Sequence, residues 1–218
     1  MNLMSTRATL LVGTLFLILQ AGCNNTTSVE DEEAAKLRTY RGLANQKVAT
    51  MVWADWVIRT EYNRIQYDVA EAVQSLLVLA SKPTEQKKKP ELPGVEFVAT
   101  GSVVRYQREH PEIQTLKIED VAPRLGASRV IYIELEEFQT QAPQSVMLLK
   151  GTAKATLRVV EVTAGQAKTV FEDHDIQVNF PSKAPEGVVQ TEKVNLRTVY
   201  DGTVRELGKA IAMRFRGE

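Results

Sequence analysis

The sequence predicts an α/β fold: one layered domain whose mixed β-sheet of about five strands is covered by two long helices and one short helix. Three observations carry that prediction. Strand-like runs are interleaved with two long segments of helical apolar period. The later strands alternate apolar and polar residues with a period of two. Glycines fall where a helix must stop and where a hairpin must turn.

Regular pattern begins near Gln46. Lys47 to Trp56 (KVATMVWADW) is rich in Val, Met and Trp and reads as a buried first strand. From Tyr62 the period changes. Ile65, Val69, Val73, Leu76 and Ala80 recur at helical spacing and Leu77 widens the stripe, which predicts an amphipathic helix over 62–80. Lys82, Pro83 and the lysine run before Pro90 end it. Val95 to Tyr106 (VEFVATGSVVRY) reads as a second strand with Gly101 at a bulge.

Ile118 to Leu125 is a short helix capped by Gly126. In Arg129 to Phe138, Ile131, Ile133 and Leu135 alternate with Tyr132, Glu134 and Glu136, so one face of that strand is wet. Gly151–Val162 and Gln166–Phe180 are the last strands, joined at Ala164 and Gly165. A loop over Pro181–Gly187 leads to an amphipathic helix from about 191 to 215, with Leu196, Val199, Thr203, Leu207 and Phe215 on one face.

Composition narrows the function classes. Lys plus Arg and Asp plus Glu number 27 each, so the basic balance of a nucleic-acid binder is missing. Lys87, Lys88 and Lys89 have no aromatic platform and read as a solvated loop. A single cysteine allows neither an internal disulfide nor a cysteine-cluster metal site.

That cysteine, Cys23, closes a leader. Arg7 gives a positive start, Ala8–Leu19 is an uncharged apolar run too short to span a bilayer, and Ala21 and Gly22 are small. The stretch LQAGC resembles the lipobox of bacterial lipoproteins, although Gln20 stands where an aliphatic residue is usual. The resemblance implies a diacylglyceryl group on Cys23. An ordinary cleaved secretory signal and an uncleaved anchor are the alternatives. Asn24, rather than Asp, follows the cysteine, which by analogy with enterobacterial sorting implies the outer membrane, facing the periplasm. Asn24–Glu33 (NNTTSVEDEE) is polar and acidic and reads as a tether. The expected layout is a signal peptide over 1–22, the lipidated cysteine and acidic tether over 23–45, and the α/β domain over 46–218.

The first strand and helix, then APRLGASRVIYIELEEF (122–138) and KGTAKATLRVVEVTAGQAKTVFEDH (150–174), resemble periplasmic lipoproteins of the CsgG, TolB amino-terminal and LpoB type. Leu125, Gly126 and Ala127 match the helix end that precedes a strand in that group. Val159–Val162 with Gly165 match a later hairpin. The resemblance spans about 46–215 and rests on structural motifs. It implies a non-enzymatic envelope domain that helps other proteins assemble, act or export, and it does not choose among these roles.

The residues themselves offer little chemistry. His110 lies in a polar loop, and His174 in a strand between Asp173 and Asp175, where strict alternation would keep the three from converging on a metal. There is no nucleophile elbow, Walker loop or dinucleotide fingerprint. No cofactor and no metal are expected. Trp53 and Trp56 are the candidate protein-interface residues, with one expected in the core and the other exposed near the strand end.

The sequence thus points to a lipid-anchored accessory protein that binds an envelope protein partner or a second copy of itself. The alternatives are a secretion-pore subunit, or an enzyme of unknown type. A pore needs strands of roughly 9 to 11 residues with an apolar lipid face, and Pro143 interrupts the stretch 138–150. For the anchor, Cys23→Ala is expected to leave an unprocessed or soluble exported form. An intact mass showing wild-type protein unmodified at Cys23 would refute lipidation.

Overall fold

The computed structural model describes residues 38–83, 88–143, 145, 147–184, 186–191 and 193–216. Cys23 and the tether segment Asn24–Glu33 lie outside the described residues. Among those described, no helix is long and apolar enough to cross a membrane.

Six strands form one mixed sheet. Strand β1 (Lys47–Ala54) pairs in parallel with β2 (Glu96–Phe97) on one side and β3 (Arg129–Gln141) on the other. Strands β3, β4 (Leu148–Thr163) and β5 (Gln166–Phe180) follow as an antiparallel meander, and β6 (Val188–Val189) pairs with the start of β4. Ala164 and Gly165 both take positive φ, at 51° and 79°, giving the two-residue turn that matches strand twist.

The helices are α1 (Trp56–Glu61), α2 (Ile65–Ala80), α3 (Thr100–Glu109), α4 (Ile118–Val121) and α5 (Leu196–Met213), with 3-10 turns at Pro111–Thr115 and Ala122–Leu125. Gly126 ends the second turn at φ 64°, a left-handed position that favours glycine. The two long helices, α2 and α5, roof one face of the sheet. Ile65, Val69, Val73 and Leu77 of α2 and Leu207 and Ile211 of α5 pack with Ile131, Ile133, Leu135, Ala155 and Leu157 in the main core. Helix α5 crosses β4 closely. A Cβ at Gly151 would fall 1.7 Å from Thr203 Oγ1, so only glycine fits beneath that turn of the helix.

Several expectations need correction. Val95–Tyr106 is not one strand: only Glu96 and Phe97 pair, and Thr100–Glu109 is helical. Val103, Val104 and Gln107 are buried at helical spacing, so packing against β1 overrides the strand preference of two adjacent valines. Gly101 lies in the first turn of α3, not at a bulge. The helix expected over 62–80 is α2, which starts at Ile65 rather than Tyr62, while the strand expected to reach Trp56 stops at Ala54 and the separate helix α1 follows it. Asp55 ends it by capping α1, its carboxylate accepting from the Ile58 N–H at 2.8 Å. The final helix starts at Leu196 rather than about 191, behind the cap of Asn195.

The domain also starts before Gln46. Leu43 is fully buried in the main core, and Tyr40 donates its N–H to the Arg214 carbonyl at 2.7 Å. Residues 40–45 belong to the fold, not to a tether. Leu43→Ala is therefore expected to cost about 2–5 kcal/mol, as for a buried core leucine. Urea unfolding measures this, and a cost within about 0.5 kcal/mol of zero, as for a surface position, would return the segment to the tether.

Candidate interface

The second face of the sheet is only half covered. Ala49, Met51, Val130 and Val160 lie beneath α3, α4 and the 3-10 turns, where Val103, Ile113, Ile118, Val121 and Leu125 close a second core. Beyond that cover the strands turn polar, and a ladder of charges crosses them. Arg158 of β4 donates from Nη1 to Glu134 of β3 at 2.9 Å and from Nε to Glu172 of β5. Thr156 donates to Glu136 at 2.6 Å, and Lys154 meets Asp175 at 2.8 Å.

The hydrogen bond from Arg158 holds the Glu172 carboxyl below its ordinary value. Lys154 does the same for Asp175. Burial instead pushes the Tyr132 phenol up.

His174 lies in this ladder, 3.3 Å from Thr156 Oγ1 and 3.6 Å from Glu172. Its two aspartate neighbours part company, although not by simple alternation. Leu157 pairs with Asp173 while Ala155 pairs with Ile176, so β5 carries an extra residue there. That bulge, with Asp175 at φ 59°, keeps His174 and Asp175 on the polar face. Asp173 points to the helical face and binds Arg214 at 2.8 Å. Among the described residues no three His, Cys, Asp or Glu side chains gather as a metal site. His110 pairs with Glu112 on the surface at 3.0 Å.

The two tryptophans take different places. Trp53, half-buried, stands on the second face of β1 beside Glu134 in register. It lines a groove of about 320 Å³ where the covering segment ends, together with Leu116, Lys117, Tyr132, Glu134 and Arg158. Trp56 is not on the strand: it opens α1 and is 69% exposed, with Val57 beside it at 53%. Arg59 of the same helix donates to Gln114 at 2.8 Å, tying α1 to the rim of the groove. The groove is not legible in the sequence, because Leu116 and Lys117 lie far along the chain from Trp53 and only the fold brings them together. A larger groove of about 810 Å³ runs between α2 and α5, lined by Tyr62, Tyr200, Leu76 and a rim of mixed charge.

No family model matches the chain, and no curated protein matches it. Solved structures do resemble it. The PelC dodecamer from Paraburkholderia phytofirmans aligns at 8% identity and TM-score 0.40, over 83% of this chain and 93% of that one. Lipoprotein GNA1162 from Neisseria meningitidis aligns at 13% identity and TM-score 0.40, over 75% and 98%. A neuraminyllactose-binding hemagglutinin homolog from Helicobacter pylori aligns at 9% identity and TM-score 0.32, over 81% and 87%. At these values none of them transfers a residue role to this chain.

The ladder generates a pH prediction. A carboxylate whose folded pKa lies below its unfolded value of 4.5 adds stability above that value and loses it as pH falls further. The urea midpoint of the wild type should decline as pH drops below about 4.5. Glu172→Gln should show a shallower decline, by under about 1 kcal/mol because the pair is partly exposed. Identical slopes for the two proteins would remove Glu172 from the linkage.

Proposed function

We propose that this chain is a lipid-anchored, non-catalytic accessory or assembly protein of the bacterial envelope. In this reading Cys23 holds it on the outer membrane, facing the periplasm, and the surface around Trp53 and Trp56 binds another envelope protein. The exposure of Trp56 is the observation that carries the interface. Tryptophan is costly to leave in water and is enriched at the centres of protein contacts. Here Asp55 caps the helix that presents it, and Arg59 braces that helix against Gln114.

The leader ending at Cys23 and the resemblance over 122–138 and 150–174 support the envelope assignment. The absence of any catalytic motif from the sequence supports a binding role. A second copy of the chain remains a partner of the same class. The pore alternative gains strands of sufficient length, since β3, β4 and β5 run 13, 16 and 15 residues. It lacks a lipid-facing band: the side of the meander away from α2 and α5 presents Gln139, Thr152, Lys154, Gln177 and Asn179.

A photo-crosslinking residue at position 57, in cells, tests the reading. The expected result is a discrete adduct with one envelope protein or with the chain itself, its yield cut about tenfold or more by Trp56→Ser, as for a contact hot spot. The same residue at position 79, on exposed Leu79 of α2, should give none. Equal, diffuse labelling from both positions would sink the interface.

A further inference from the structure

The two long helices finish at the end of the domain where the folded chain starts. Tyr40 donates its N–H to the Arg214 carbonyl just beyond α5, and the N–H groups of Glu91 and Leu92 meet the Ala80 carbonyl at the close of α2. Asn45 donates its N–H to the Pro93 carbonyl and so joins the two loops. Residues 40–45, 80–82, 88–94 and 213–216 thus share one end of the molecule.

The charges there do not cancel. Glu91, Asp173 and Glu161 are each taken by an arginine: Arg216 at 2.7 Å, Arg214 at 2.8 Å and Arg129 at 3.1 Å. Glu96 is paired in register with Lys47. Arg41, Lys82, Lys88 and Lys89 are exposed and, among the described residues, make no ion pair. Beside these free cations stand two exposed apolar side chains, Leu79 on the last turn of α2 and Met213 at the end of α5.

Free cations mixed with apolar side chains match the headgroup layer of an anionic membrane, which offers phosphates with acyl carbon just beneath. An acidic segment such as this chain's own Glu30–Glu33 would answer the cations but leave Leu79 and Met213 in water. Connectivity points the same way. A lipid on Cys23 is joined to this end through residues 24–37, a stretch of at most about 50 Å. The opposite end lies a further helix length away, about 27 Å for the 18 residues of α5.

We infer that this end of the domain lies against anionic phospholipid headgroups, with Arg41, Lys82, Lys88 and Lys89 on phosphates and Leu79 and Met213 at the acyl boundary. This placement rests on the reading of Cys23 as a lipid anchor. It turns Trp56, beyond the far end of β1, away from the membrane and toward a partner.

Lysine acetylation of the wild-type, full-length protein tests it, read residue by residue by mass spectrometry. The protein is compared in detergent, in phosphatidylcholine vesicles, and in phosphatidylcholine vesicles containing phosphatidylglycerol. Lys82, Lys88 and Lys89 should react about three to five times more slowly with phosphatidylglycerol present, the effect of an anionic surface on a lysine beside it. Lys183 and Lys193, exposed at the opposite end, should not change. High salt, which shortens the Debye length to about 3 Å, should remove the difference.

Equal rates in both vesicle types, or equal slowing at both ends of the domain, would overturn the placement. Slow reaction of the three lysines already in detergent, unchanged by vesicles, would give the face to Glu30–Glu33 instead. Flotation with phosphatidylcholine vesicles in high salt reports the anchor separately. If the protein floats while the lysines show no protection, the anchor stands and the placement falls. If it does not float but phosphatidylglycerol still protects the lysines, the lipid-binding face stands without the anchor.

Discussion

The whole structure depends on an unequal burial of the two sides of one sheet. On one side α2 and α5 supply enough apolar length to cover β1, β3 and β4 from end to end, and the strands answer with Ile131, Ile133, Leu135, Ala155 and Leu157. Glycine at 151 lets α5 approach, and the helix closes over it with Thr203. Each such large side chain taken out of water contributes about 1.5–3 kcal/mol before entropy is charged against it. On the other side the covering chain between Thr100 and Leu125 is short, and its buried Val103, Ile113, Ile118, Val121 and Leu125 cover only Ala49, Met51, Val130 and Val160 of the sheet. The sheet continues past that limit. Its side chains there must be compatible with water, and the Glu134–Arg158–Glu172 ladder meets that need. The groove at Trp53 is the line between the two regimes.

The same sheet has edges that could recruit other chains, and it blocks them by different means. At β1 the carbonyl of Val52 accepts from Gln66 Nε2 at 2.8 Å and from Gln107 Nε2 at 2.9 Å, so side-chain amides from α2 and α3 stand in for a neighbouring strand. At β3, Tyr62 bonds Thr140 through its hydroxyl, and burial raises that phenol to about 12, which keeps it protonated at any ordinary pH. At β5 two extra residues interrupt the regular ladder, and Arg38 donates to the Glu172 carbonyl. Strand addition is thus disfavoured along these stretches of β1, β3 and β5, and side-chain surfaces such as those at Trp56 and the groove are left for association.

Much of this was legible in the sequence, for identifiable reasons. Arg129–Phe138 and Gly151–Val162 were readable because one face of each strand is uniformly buried, which prints a period of two. The turn at Ala164 and Gly165, the cap at Gly126 and both long helices followed from local chemistry. The misreadings occurred where tertiary contacts override local preference. Val103 and Val104 look like strand residues until β1 offers them a face to pack on as helix. Tyr40 and Leu43 are isolated in a polar stretch, so nothing periodic announced that they belong to the core. Alternation correctly separated Asp173 from His174, but no sequence rule exposes the bulge that returns Asp175 to the side of His174. The charge ladder and the groove are assembled from segments that only the sheet brings together.

The energetics of Trp56 indicate what sort of binding this surface can sustain. A tryptophan side chain buries roughly 150–250 Å², and at about 25 cal/mol per Å² that yields on the order of 4–6 kcal/mol at most. A dissociation constant of a millimolar corresponds to about 4 kcal/mol, and a micromolar one to about 8. One exposed ring therefore reaches only weak affinity before ordering costs are subtracted. A second contact in the Trp53 groove adds to it without making the complex tight. Confinement changes the balance: under the proposed lipid anchoring at Cys23, a partner on the same membrane meets the domain at an effective concentration that can reach millimolar. Weak docking is then sufficient and stays reversible, which suits the accessory role proposed above.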